Sequence, residues 1–259
     1  MVQKSLSNQQ QYTPMLSLLA IVAIIGVSIY NSAFKNGRFT CNRYILNSYL
    51  YILLMLILIM LQVLYLDFKD ISSLDILKPF SGVLGFILLL ILLIGIMTTL
   101  MFIPPKYVFL KHLVWLILGG FFGLLVYPAY EKSKSENSLL SVMFSLIAIL
   151  VVFTAVAFIK PDLISLSWGP ILLFILVGMI IIQVVHLLMN RNKKDYKRPK
   201  AFAYIIIVLF IFFLLYDTKI IQIQAKNCKT ETADYINQSL GVILDAINLF
   251  QNLVFAYGN

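Results

Sequence analysis

An all-α integral membrane protein is the fold class the sequence predicts, and three observations predict it. Of 259 residues, 61% are hydrophobic and only 12% are charged, whereas a soluble globular chain carries about 25% charged residues. The apolar residues fall in runs near the roughly 20 residues that a membrane-spanning helix needs, not in the short alternating segments of a membrane barrel. The cations, 20 Lys and Arg against 11 Asp and Glu, sit in the breaks between those runs, where they meet lipid headgroups and set topology. A water-soluble enzyme is excluded by the first observation, and a disordered chain by the hydrophobicity. The placement of the cations argues for the lipid bilayer as partner and against nucleic acid.

Eight runs read as spans: 15–30, 44–66, 80–103, 107–130, 139–159, 166–189, 201–221 and 240–257. Each is too apolar all round to be a surface helix. The first is the weakest, being short and holding Ser17, Gly26 and Ser28. It fits an interfacial segment or a helix at the edge of a bundle, and it divides the chain into a tail, 1–43, and a bundle, 44–259. Pro104-Pro105 ends the third run, because proline removes a donor and pushes its predecessor out of the helical region; Lys160-Pro161-Asp162 ends the fifth in the same way. The strongest polar break is 191–200, with six cations from Arg191 to Lys200. Gly119-x-x-x-Gly123, with Gly120 beside it, and Ser81-x-x-x-Gly85 allow close helix approach, and packing within the bundle is favoured over a dimer face.

Cys41 and Cys228 fall in polar loops with no second Cys or His at metal-ligand spacing. Two free thiols are favoured over one disulfide. Lys4 is the only early cation, and Gln9-Gln10-Gln11 separates it from the first apolar run, so a secretory signal is not expected. Nothing at Ala256-Tyr257-Gly258-Asn259 suggests lipidation or a retention tag.

Charged residues inside the apolar runs need a reason, since an aspartate at the centre of a membrane helix costs about 2.5–3.5 kcal/mol on insertion scales. Two stand out. Asp217 follows the apolar run Phe210 to Tyr216, with Ile220-Ile221 beyond it; it fits either a buried site or a solvated helix end. Asp245 lies inside the last run, and Asp245, Asn248 and Asn252 share one helical face, with Gln251 at its border. Such a stripe must face the bundle interior or a water-filled cavity, as a structural seam or as a site. Gln183 and His186 read as interfacial, and Thr98 and Thr99 can bond their own helix. No phosphate loop, His-Glu-x-x-His pair or Gly-x-Ser-x-Gly elbow is present, so no enzyme is expected. Nor does either aspartate carry the Gly-x-Gly-Asp context of an intramembrane aspartyl protease.

Leu215-Tyr216-Asp217-Thr218-Lys219 followed by Leu244-Asp245-Ala246-Ile247-Asn248-Leu249-Phe250 resembles the paired signature of the Bax inhibitor family (transmembrane Bax inhibitor motif proteins). Gly123-Leu124-Leu125-Val126-Tyr127-Pro128 and Lys160-Pro161-Asp162-Leu163-Ile164-Ser165-Leu166 extend the likeness, which covers roughly 44–257. The resemblance implies a seven-helix bundle with its last helix near the centre, preceded here by one extra N-terminal hydrophobic segment. It also implies that Asp217 and Asp245 form a hydrogen-bonded, pH-sensitive pair that gates a calcium leak. The membrane would be the endoplasmic reticulum or a bacterial plasma membrane. No cofactor is implied, only calcium as a permeant ion or one bound at Asp217 and Asp245, with Asn248 and Asn252 in support. Some members add an arginine near the end of the second family span; here only Lys106 could serve, and it reads more readily as an interfacial anchor.

Family orientation would place 31–43, 104–106, 160–165 and 222–239 in the cytosol. That end carries nine Lys and Arg against eleven at the other, six of them in 191–200. The positive-inside rule leans against the family orientation, which is nevertheless the expectation adopted. The leading functional reading is a calcium leak channel of an endoplasmic-reticulum-type membrane, moderating calcium stores and cell death. Its rival is a non-conducting structural protein of a larger assembly, such as a virus particle, docking membrane or capsid proteins through 191–200. A small-molecule transporter ranks third, because no paired broken helices or inverted repeat is visible.

Overall fold

In hydrocarbon every backbone N–H and C=O must be satisfied within the chain, so apolar runs of this length close their hydrogen bonds as helices. The computed structural model of the protein describes residues 2–80, 82–189, 199–229 and 233–258. Among them are nine α-helices: α1 (Val2–Ala33), α2 (Tyr44–Phe68), α3 (Ser73–Leu77), α4 (Gly82–Phe102), α5 (Val108–Ser135), α6 (Leu139–Ile159), α7 (Trp168–Met189), α8 (Lys200–Lys226) and α9 (Tyr235–Tyr257). Seven of them are long and apolar enough to cross a membrane, and α4 contributes a shorter apolar stretch, Ile87–Phe102. The chain is an all-α, multi-pass integral membrane protein. Leu84, Ile91, Phe174 and Ile181 are among the many large apolar side chains left exposed on its surface, as a lipid-facing surface requires. The helix α9 is the exception, with 72% of its apolar window buried against 44% or less elsewhere.

Contacts divide the chain into two compact units, Met1–Glu131 with Gln224–Ile243, and Lys132–Ile223 with Leu244–Asn259. In the first, α1 starts well before the apolar run, continuing through the glutamines and Pro14. It lies against α2 with Ile25, Ile29 and Ala33 buried at i, i+4 spacing, while Leu16, Ile24 and Val27 stay exposed. The Ser32 hydroxyl donates to Asn47 Oδ1 of α2 at 2.5 Å. A two-residue hairpin follows, β1 (Phe34–Lys35) against β2 (Arg38–Phe39). Its turn, Asn36-Gly37, takes positive φ at both positions, which this dipeptide favours.

The small residues of α5 serve packing inside this unit. A Cβ on Gly119 would meet Met55 Sδ, and one on Gly123 would meet Gln62 Oε1, both on α2. The Gln62 amide donates to Gly120 O at 3.0 Å. Ser81 of the other small-residue motif lies outside the described residues. Further along α5, Tyr127 donates to Ile71 O at 2.7 Å and Tyr130 to Asp67 Oδ2 at 3.2 Å, pinning the turn between α2 and α3.

The cysteines correct the sequence expectation. Cys41 and Cys228 form a disulfide, with Cα atoms 5.8 Å apart across a sequence separation of 187. Nothing local in the sequence pairs these positions; the fold brings them together by returning the end of α8 to the start of α2.

In the second unit, Ala157, Ile164 and Leu215 are buried together, with Phe153 and Trp168 packed against them. The helix α6 stops at Ile159, where Pro161 leaves Lys160 outside the helical region, and a single 3-10 turn follows over Pro161–Leu163. Two side chains of α8 take up the carbonyls exposed there. Lys219 Nζ donates at 2.8 Å to Pro161 O, which also accepts from Ile164 N–H, and Gln222 Nε2 donates at 3.0 Å to Ala157 O, one of the last carbonyls of α6, which lack partners within the helix.

Candidate functional site

The helices α8 and α9 each bring one carboxyl group into the second unit. On α8, Leu214 and Leu215 are buried just before Asp217. The Tyr216 ring lies so close to Gly169 of α7 that a Cβ there would fall 2.5 Å from its hydroxyl. On α9, Asp245 is 3% exposed between Ile243, Ala246 and Ile247, all buried. The two carboxyl groups lie close enough to interact, and Asp245 Oδ2 is buried with no hydrogen-bond partner. A carboxylate only accepts, so a direct hydrogen bond between two carboxyls requires a proton on one of them.

Asn248 and Asn252 share the Asp245 face. The Asn248 amide donates to Leu244 O at 2.9 Å, and that of Asn252 to Asn248 O at 2.8 Å. One N–H of each amide thus bonds a carbonyl of its own helix. Lys106 belongs to the first unit, is exposed, and holds its ammonium 5.0 Å from the Tyr107 ring centroid. Among the described residues no group of three or more His, Cys, Asp or Glu could hold a metal ion. Calcium takes six to eight oxygens, so a calcium ion at Asp217 and Asp245 would need further oxygen ligands. Of the basic break 191–200, residues 191–198 lie outside the described residues, as does the His186 side chain.

A second polar constellation, in the first unit, was not foreseen. Lys111 is fully buried on α5, and its Nζ donates to Asp234 Oδ2 at 2.5 Å and to Ile103 O at 2.7 Å. Asp234 also accepts from the Asn237 backbone N–H at 3.1 Å, which makes it the N-cap of α9. Burial pushes the Asp234 carboxyl above the ordinary aspartate range, and the Lys111 ammonium pulls it back down. Beside it, His112 Nδ1 lies 2.7 Å from Val108 O and Nε2 lies 2.7 Å from the Tyr51 hydroxyl. The carbonyl can only accept, so Nδ1 carries the proton and, in the neutral ring, Nε2 accepts from Tyr51. Tyr235 donates to Thr40 O, stacks on Tyr51 and meets Phe39 edge-on. The one sequence signal was Asp234, placed three residues before Asn237 at the head of an apolar run; Lys111 reads as an ordinary interfacial cation.

No curated protein and no solved structure matches the chain. A family model does match: Inhibitor of apoptosis-promoting Bax1, over residues 41–258. That stretch runs from the disulfide cysteine before α2 to the end of α9 and takes in both aspartates, leaving out only α1 and the hairpin. The chain therefore belongs to the Bax inhibitor family.

Proposed function

We propose that this protein is a pH-sensitive calcium leak channel of the Bax inhibitor type, in an endoplasmic-reticulum-type membrane or one derived from it. The observation that carries the reading is the approach of Asp217 and Asp245, one carboxyl from each of two apolar helices, with Asp245 Oδ2 buried and without a hydrogen-bond partner. Intramembrane carboxyl groups are expensive and mark ion or proton paths. Two carboxyls in contact in low dielectric hold a proton between them and titrate as a pair. With the proton in place the pair ties α8 to α9 and carries less charge. Without it, the carboxylates repel each other and attract a cation, so deprotonation favours opening and calcium entry.

The test is reconstitution of the full chain in liposomes loaded with a calcium dye, at two pH values. Calcium flux that rises with pH supports the channel. A well-folded protein that passes no calcium at either pH overturns it, and favours the alternative of a structural membrane protein of a larger assembly such as a virus particle.

A further inference from the structure

Cys41 and Cys228 flank a closure that other contacts also hold. The Tyr235 hydroxyl donates to Thr40 O, Asn47 Nδ2 donates to Asn42 O at 2.8 Å, and Tyr44 and Tyr235 rings pack 5.0 Å apart. The loop before α2 is thus seated on the start of α9, and the two thiols are set within bonding range. Thiols in the cytosol are kept reduced, whereas disulfides persist on the oxidising side of a membrane. The charge balance agrees: the end with the cysteines carries nine Lys and Arg, including the buried Lys111, and the opposite end carries eleven. Lys and Arg concentrate in cytoplasmic loops. The helix α1 supplies the mechanism, because its apolar segment Thr13–Ala33 is long enough to cross the membrane. As a span ahead of the helices that the family model matches, α1 sets 34–43 on the side opposite its own N-terminal end.

From these three observations we infer that Cys41 and Cys228 are an oxidative modification site on the non-cytosolic face. The family-like bundle is therefore inverted relative to the expected family orientation, with 191–200 in the cytosol. The oxidant is a disulfide-bearing thiol oxidoreductase of that compartment. One cysteine thiolate attacks its disulfide to give a mixed disulfide, and the second thiolate displaces the oxidoreductase sulfur. Two electrons pass to the oxidant, which leaves as a dithiol, and the two cysteine protons end on its sulfurs or in water. The inference does not rest on calcium conduction.

The experiment uses the full chain in sealed microsomes whose outer face is cytosolic, treated with a membrane-impermeant reductant and then an impermeant polyethylene-glycol maleimide. Wild type is expected to stay unlabelled until detergent opens the vesicles, and then to shift by two additions only with reductant. The variant Cys41→Ser/Cys228→Ser/Ser135→Cys, with its thiol at the exposed far end of α5, is expected to label in sealed vesicles without detergent. Labelling of wild type in sealed vesicles, with or without reductant, overturns the inference. So does labelling in detergent without reductant, which would mean free thiols, or a Ser135→Cys thiol protected in sealed vesicles.

Discussion

Lys111 and Asp234, 123 residues apart in sequence, meet at 2.5 Å and join the start of α5 to the start of α9. Removing one member of a buried pair leaves an uncompensated charge, which typically costs about 3–5 kcal/mol, whereas replacing both can be nearly neutral. Lys111→Met should lower the thermal melting temperature in detergent sharply, whereas Asp234→Asn alone should lower it only mildly, because the amide resembles the neutral carboxyl that burial favours. The double variant should recover most of the loss, because asparagine keeps the N-cap. Strictly additive losses would show that the two residues act separately.

Asp234 also gives a pH expectation. Its folded carboxyl lies above the ordinary aspartate value, chiefly through burial, and that ordinary value is about 3.9. Between the two values the native state binds a proton that the unfolded state does not. The stability this group contributes is therefore fully present below about pH 3.9 and is lost as pH rises through the folded value. The gap in stability between wild type and Asp234→Asn should widen as pH falls from neutral toward about 4. Calorimetry on both proteins checks the sign; a gap that narrows on acidification contradicts it.

Asp217→Asn and Asp245→Asn each remove one charge while nearly preserving shape. If the pair is the sensor, calcium flux in liposomes becomes much less dependent on pH in both variants. The amide can still hydrogen-bond its partner, so basal flux has no fixed direction. A purely structural seam predicts lower thermal stability with the pH response of the flux intact. That result, in well-folded protein, would end the sensor role and leave the fold assignment standing.

Gly123→Ala should loosen the contact between α5 and α2. Its new Cβ would fall on Gln62 Oε1 and break the bond from Gln62 Nε2 to Gly120 O. Overpacking of this kind costs roughly 1–3 kcal/mol. Gly120→Ala has nothing within 4 Å of the added carbon and should melt close to wild type.

Much of this architecture was legible in the sequence because hydrocarbon demands one thing of it, about 20 apolar residues per crossing. The breaks at Pro104-Pro105 and Lys160-Pro161 followed from proline's missing donor. What escaped was polar and non-local. The start of α9 lies at Tyr235, five residues before its apolar run, because Asp234 caps it. Lys132 and Lys134 extend α5 past its apolar end, since long cationic side chains reach water from inside a helix. The Asn36-Gly37 hairpin carried a usable signal that hydropathy passes over. The pairing of Lys111 with Asp234, and of Cys41 with Cys228, has no local signature at all. Asp217 and Asp245 were legible because charge inside an apolar run has to be explained; that Asn248 and Asn252 turn onto their own helix depends on rotamers that spacing does not reveal.

The bond between Cys41 and Cys228 makes the chain a covalent ring with two tails. Six long helices, α2 and α4 to α8, lie inside the ring, while α1 and α9 hang outside it. A protease that cuts once anywhere between residues 41 and 228 therefore opens the ring without releasing a fragment. Such nicked protein should run at full mass without reductant and fall into two pieces with it. A single cut within α1 or α9 should shorten the protein under both conditions, so fragment patterns alone distinguish damage to the ring from damage to its tails.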